Sequence, residues 1–562
     1  MRDSLTHPDT GGARPPKLAS ALGALASIVC AVSLLYLGCA SLVVTGVLDV
    51  TRGTIDTEHM TLSSLWSGDP ISTVLLPLLA ACALLACIFF AWRLLPRLGM
   101  WGYAAIVIVV SLAAQIGWIV LLGLRTPYPY ADTLNLDQLA RAYLAGDPSA
   151  FPTEVVGGAI PYLLMYPFQS GGVLLFSLFI RVFGDGYQVA LMLANALFNT
   201  VALVSALSIC DSLGRSEDAV RCCALLECLF LPVFFSAAFV YCNSIGIGFA
   251  ALALALNIRA MASGGRMRDR AVMVACSLPC MVFVLWFKST FLLILLAIAV
   301  AWVVYALGGR RRIAAVVPVA AVLVLNQLGG LPTSYLEHRL GKDFGDGMPK
   351  VSWIAMGMRG DSVADMPGWW SFFPSDLYKR ADGDGGRQSE LAIESIEDSA
   401  ARFAGDPSYA LSFFGAKLAS EWLDPTYATL YYSALADNAP VETVFHHIMY
   451  FGGTVNAAAR TFMDGFQSVL YLFAAVGCAA LFRRVRSSTN GMLSGAIALC
   501  ATFVFGFGCY VFWEAKSIYL LPFAMLLVPF AAIGTAAGFR RLRALAAGGG
   551  SREVFPGDQM PR

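Results

Sequence analysis

Long apolar stretches alternate with short charged connections along most of this chain, and three longer polar segments interrupt them. A helix needs about 20 mostly apolar residues to cross about 30 Å of hydrocarbon. Twelve stretches reach that length: 19–48, 71–93, 102–124, 186–210, 219–240, 243–262, 271–288, 290–307, 313–330, 461–482, 492–512 and 517–539. Segments 49–70, 125–185 and 331–460 carry too many turn-forming and polar residues to be embedded. The pattern predicts an all-α polytopic membrane protein. Its organisation reads as a tail at 1–18, three spans within 19–124, an outer loop at 125–185 and six spans within 186–330. A large extracytoplasmic loop at 331–460, three spans within 461–539 and a tail at 540–562 complete it.

Charge supplies an independent test, because short cytoplasmic loops collect Lys and Arg. With the N-terminus inside, six basic clusters fall on one side: Arg93 and Arg97; Arg215 and Arg221; Arg266, Arg268 and Arg270; Arg310, Arg311 and Arg312; Arg483, Arg484 and Arg486; Arg540, Arg541 and Arg543. Both termini are therefore expected in the cytoplasm of a plasma-membrane protein. The first stretch, preceded by Arg2, Arg14 and Lys17, has a basic start like a signal peptide. Its apolar run continues to Leu48, too long for a cleaved core, and it is read as a retained helix. Within the second outer segment, 169–183 is short for a span, and spanning would invert the arginine pattern of every later helix. It is expected to lie in the interface.

Composition agrees: 58% of residues are hydrophobic and 13% charged, with a mean hydropathy of +0.69. A formal net charge of +1 provides no field for a nucleic acid. The 17 acidic against 10 basic residues of 331–460 are what inside-positive sorting leaves outside, and alone they indicate no substrate. All 14 cysteines fall in apolar stretches, so they read as small buried side chains, with no zinc site or structural disulfide expected. His446 and His447 are adjacent, a poor spacing for two ligands on one helix face. Asp382-Gly-Asp-Gly-Gly386 lacks the Gly-Lys-Ser/Thr of a nucleotide loop and reads as a turn.

Three short stretches then carry a resemblance. Tyr130-Ala-Asp132-Thr-Leu-Asn-Leu-Asp137 opens a juxtamembrane helix, Tyr166-Pro-Phe-Gln169 leads to a second one, and Trp513-Glu-Ala-Lys516-Ser-Ile-Tyr519-Leu-Leu-Pro522 joins the last two spans. In order and topology, over most of 100–540, they resemble the GT-C superfamily of polyprenyl-phosphate-sugar-dependent glycosyltransferases. The similarity is to bacterial relatives of the protein O-mannosyltransferases and the aminoarabinose transferases. Trp353-Ile-Ala-Met-Gly-Met358 and Gly368-Trp-Trp370 are similar to a loop of Gram-positive members.

The resemblance implies a GT-C-like bundle that moves a sugar, with inversion, from a polyprenyl-phosphate donor to an envelope polysaccharide, lipid or protein on the outer face. It implies Asp132 as the base and Lys516 as a donor-phosphate contact, with Glu514, Tyr519, Tyr166 and Gln169, which lie in the resembling stretches, as supporting groups. Position adds Asp137, five residues on, as the fallback base, and Lys288 and Arg125, which end helices at the outer face, as further donor-phosphate contacts. Superfamily members differ in using a divalent metal, and nothing in this sequence supports one.

Each residue also has a plainer reading. Asp132 suits a helix N-cap, Glu514 and Lys516 a solvated pair, and Lys288 and Arg125 snorkelling cations. Lys516 and Ile518 stand where the signature often has two arginines, which leaves a point charge instead of bidentate recognition. A lipid-linked glycan polymerase or ligase shares the outer loop and is separated from this reading by the early Asp segment. A twelve-helix transporter is disfavoured by the nine-to-three division of helices around 331–460 and by the scarcity of midmembrane charge apart from Glu227.

Overall fold

The computed structural model describes residues 15–50, 58–124, 131–156, 158–308 and 312–546. The chain is an all-α polytopic membrane protein: among the described residues eleven helices are long and apolar enough to span, and one bent helix pair, taken as a single span, makes a twelfth. In order the first helices are α1 (Lys17–Ala40), α2 (Leu76–Leu94), α3 (Gly99–Leu121), α4 (Ala131–Ala145), α5 (Tyr162–Met165), α6 (Ser170–Phe183) and α7 (Tyr187–Gly214). There follow α8 (Glu217–Glu227), α9 (Leu231–Phe235), α10 (Asn243–Ala262), α11 (Met267–Phe287), α12 (Leu292–Leu307) and α13 (Val316–Gly329). The large loop holds α14 (Leu331–Leu340), α15 (Lys350–Gly357), α16 (Phe373–Arg380), α17 (Gly385–Gly405), α18 (Pro407–Trp422) and α19 (Thr429–Ala436). The chain closes with α20 (Thr454–Val485), α21 (Asn490–Phe512) and α22 (Leu521–Ala546).

Each of the twelve apolar stretches contains one of these spans, with two differences that have physical causes. The stretch 219–240 is α8 and α9 meeting at 53°. Pro232, in the first turn of α9, has no N–H to continue the helix of α8. The stretch 19–48 is not one helix. It ends at Ala40, and Val44–Leu48 is a strand, β1, paired antiparallel with β2 (Met60–Ser64). Val43, Val44, Thr45 and Val47 are β-branched, a composition that favours the extended chain once the partner strand is present.

The buried core of the bundle is α20 against α22. A Cβ on Gly477 would lie 1.8 Å from the Phe530 carbonyl oxygen, and one on Gly534 2.1 Å from that of Phe473. Only glycine lets these two backbones touch, the packing expected where lipid removes the hydrophobic drive between helices.

The basic clusters converge on one end of the bundle. Arg97 lies 3.9 Å from Glu217, Arg221 donates to the Trp92 carbonyl at 2.6 Å and Arg540 is 3.6 Å from Asp218. Arg484 donates to the Gly214 carbonyl at 2.7 Å, Arg215 to that of Ala262 at 2.9 Å and Arg270 to that of Ala260 at 2.8 Å. Arg310 and Arg311 lie outside the described residues, as does Arg125.

α6 does not continue as α7: one 3-10 turn, Gly184–Gly186, separates them. The rings of Phe176 and Tyr187 are 5.8 Å apart, whereas 11 residues of straight helix would separate them by about 16 Å. The chain reverses at Gly184, whose φ of 57° suits glycine, and α6 packs against α4 and the start of α7.

All 14 cysteines are free thiols. Cys30, Cys478 and Cys500 converge from α1, α20 and α21, their sulfurs within 4.8 Å of one another, an approach that spacing along the chain did not announce.

Candidate active site

At the end of the bundle opposite the six basic clusters, several segments of chain meet around one cleft. Asp132 stands in the first turn of α4 and is exposed. The next residue anchors it: Thr133 donates through its hydroxyl to the Val240 carbonyl at 2.7 Å, tying α4 to the segment that carries Tyr241. Gln169 donates to the Tyr241 hydroxyl. Gly171, two residues on, presses against the C-terminus of α11, where a Cβ would come 1.9 Å from the Trp286 carbonyl oxygen. That contact fixes Lys288, the residue that closes α11, beside α6.

Lys288 extends its ammonium between two tyrosines, 4.7 Å from the ring centre of Tyr519 and 5.2 Å from that of Tyr241. Burial lowers its pKa, and the charges of Asp132 and Glu514 oppose that shift. Burial likewise lifts Glu514 to about 7, with Lys516 and Lys288 pulling it back and Asp132 adding to the rise. Lys516 is in an ion pair with Glu58 at 2.5 Å. Burial would lower its pKa, but Glu58 and the neighbouring tyrosines outweigh it and the pKa is raised. The Tyr162 hydroxyl is buried beside Asp132. Burial first, and then the charge of Asp132, raise the pKa of both Tyr162 and Tyr166.

The cleft thus gathers Asp132, Lys288, Glu514, Lys516, Tyr519, Tyr166 and Gln169, seven of the nine residues singled out in the sequence. Asp137 is elsewhere. It accepts from the Tyr187 hydroxyl at 2.6 Å and from Arg141, one turn on, at 3.0 Å, a buried and fully engaged carboxylate that holds α4 against α7. Sequence reasoning did not single out Glu58, Tyr162, Tyr241 and Tyr432, the last with its ring centre 5.8 Å from the Lys516 ammonium. Glu58 meets Lys516 across 458 residues, so no local spacing signals it.

The turn between α21 and α22 owes its shape to the large loop. Ala515 donates its N–H to the Gly368 carbonyl at 2.7 Å, and Ser517 donates to Asp424 at 2.6 Å. Lys417, inaccessible to solvent, donates to the carbonyls of Gly357 at 2.5 Å and Trp513 at 2.6 Å. Burial brings its pKa down to about 8. Lys417→Met removes both bonds and leaves two buried carbonyls unpaired, at about 1–3 kcal/mol each. Thermal unfolding of the solubilised variant is expected well below wild type; an unchanged midpoint would mean that the main-chain bridge alone holds the turn.

The two histidines and the Gly-rich turn have local roles. Nδ1 of His446 accepts from the Thr443 N–H at 2.9 Å while its Nε2 lies 2.9 Å from the Leu121 carbonyl oxygen. His447 lies 3.8 Å from Glu442. Asp384 caps α17 by accepting from the Arg387 N–H at 2.6 Å.

No family model matches the chain, and no curated protein matches it. Two solved structures of an archaeal oligosaccharyltransferase from Archaeoglobus fulgidus are similar to it. One is tethered by a disulfide to an acceptor peptide with an NVT sequon. It is 14% identical, with a TM-score of 0.38, over 79% of this chain and 52% of the other. The second, AglB with an inhibitory peptide and a dolichol-phosphate, is 14% identical with a TM-score of 0.41, over 81% and 52%. The chain spans about half the length of either, and at these scores the likeness assigns neither a substrate nor a residue role.

Proposed function

We propose that this chain is a GT-C-type glycosyltransferase that moves a sugar from a polyprenyl-phosphate donor to a cell-envelope acceptor at the outer face of the plasma membrane. The observation that carries the reading is the pairing, in one cleft at the end of a membrane bundle opposite the six basic clusters, of an exposed carboxylate at a helix start with a half-buried, desolvated ammonium. A polar cleft there meets the headgroup of a lipid-borne donor while its chain stays in the bilayer.

In the proposed reaction the acceptor hydroxyl gives its proton to Asp132 as its oxygen attacks the anomeric carbon. The bond from that carbon to the phosphate oxygen breaks, and the phosphate leaves with the electron pair. One base and an in-line displacement need no covalent intermediate, so the configuration inverts. Lys288 faces the developing phosphate charge, and preorganised charge of this kind acts strongly in a site that excludes water. Lys516, neutralised by Glu58, adds less. Lys288 and Lys516, beside the carboxylates of Glu514 and Glu58, are the cations that this chain itself offers the leaving phosphate. Segment 331–460 caps the acceptor side.

Purified protein given a polyprenyl-phosphate sugar and envelope glycan acceptors should release polyprenyl phosphate in step with transfer. Hydrolysis without transfer, or no reaction with any such donor, would refute the assignment. Topology is tested separately. In a background without native thiols, a cysteine replacing Ser389 should be labelled in intact cells and one replacing Ser487 only after permeabilisation. The opposite pattern would put the cleft in the cytoplasm.

A further inference from the structure

The arginine-rich end of the bundle contains a second concavity, far from the cleft. Its first part is a cavity of about 530 Å³ where the ends of α2 and α22 meet α8. Arg93, Arg97, Arg221 and Arg543 line it with a single acidic residue, Asp218. Asp218 already faces Arg540, and Arg221 is held by the Trp92 carbonyl and the Tyr103 hydroxyl. Arg93 and Arg543 are exposed and make no ion pair among the described residues. Trp92 also lines the cavity; it is 4% exposed, and its indole N–H has no acceptor.

The second part is a groove of about 450 Å³ between α2, α20 and α22, apolar along most of its wall, with Phe90, Phe473 and Gly538 lining it and Arg541 as its one charged residue. Phe89 and Leu542 line both parts, so the apolar groove adjoins the arginine pocket.

We infer that this composite site holds an anionic phospholipid of the leaflet at the arginine end, its phosphate among Arg93, Arg543 and the Trp92 N–H and an acyl chain along the groove. Inside-positive sorting explains why arginines are at this end. It does not explain an indole donor buried without a partner, nor an open hydrocarbon groove ending on unpaired cations. Basic pockets between spans on the cytoplasmic side are suited to lipid phosphates. The donor's reacting phosphate is a poor alternative occupant: Arg543 lies 22 residues along α22 from Leu521, about 33 Å from the cleft end at the helical rise. The inference needs only the membrane bundle and is independent of the glycosyltransferase reading.

The test uses the full chain, delipidated in detergent and titrated with phosphatidylglycerol, phosphatidylcholine or inorganic phosphate, with bound lipid read by native mass spectrometry. Phosphatidylglycerol should be retained at least tenfold better than phosphatidylcholine. The double variant Arg93→Gln with Arg543→Gln should lose roughly ten- to thirtyfold of that retention. Gly538→Leu, which fills the groove and touches no charge, should also weaken it. Arg483→Gln with Arg486→Gln removes the same charge from the same end outside the pocket and should change little. Equal retention of the two lipids, an equal loss in the control pair, or inorganic phosphate competing away all bound lipid would each overturn the site.

Discussion

Asp132→Asn is expected to cut the transfer rate by about 10²–10⁴-fold, the usual contribution of a positioned general base, while the protein inserts, folds and binds donor as wild type does. The structure places Asp132 inside the first turn of α4 and not at its N-cap, so Asn, which keeps the size of Asp, gives up only the charge at the helix start, about 0.3–1 kcal/mol, and the fold survives the change. The anchor of that turn, the Thr133 hydroxyl on the Val240 carbonyl, is untouched. What Asn cannot do is take the acceptor's proton. Asp137→Asn is the informative contrast. It breaks a buried carboxylate held by Tyr187 and Arg141, so it should lower stability more than the chemical step. Wild-type turnover by Asp132→Asn would remove Asp132 from the mechanism, and Glu514 or a residue of 331–460 would have to take its place.

The membrane class and the order of spans were legible because lipid imposes a length of apolar residue that few other constraints imitate, and because arginine clusters mark alternate connections. The hairpin was not legible. Val44–Leu48 is as apolar as the helix before it, and only its pairing with Met60–Ser64 distinguishes strand from span. In the cleft, residues at helix starts and tight connections were readable: Asp132 at the first turn of α4, Lys288 at the end of α11, Glu514 and Lys516 between α21 and α22. Glu58, Tyr241 and Tyr432 were not, since each owes its place to a contact across the fold. Lys417 is the clearest case. In the sequence it is one basic residue in an acidic loop; in the structure it is a buried clamp on the Trp513 turn.

Lys288→Met is expected to weaken donor binding by roughly 10–150-fold, the equivalent of about 1.5–3 kcal/mol for hydrogen bonding to a charged group, and to slow turnover as well. Met keeps the length and apolar stem of Lys and still packs between Tyr241 and Tyr519, so the loss isolates the charge. Lys516→Met should behave differently. Its ammonium is already committed to Glu58, so removing it strands a carboxylate and should lower stability more than donor affinity. The pH dependence follows from Glu514, lifted to about 7 by burial. Below that pH Glu514 is neutral with or without donor, and affinity should be flat. Above it the free protein has an ionised Glu514 that repels the incoming phosphate and must take up a proton for tight binding. Donor affinity should therefore fall as pH rises through about 7, and Glu514→Gln should abolish that fall. Donor titrations between pH 6 and 8.5 would decide it. Wild-type affinity in Lys288→Met, with the pH slope intact, would move the phosphate site to Lys516.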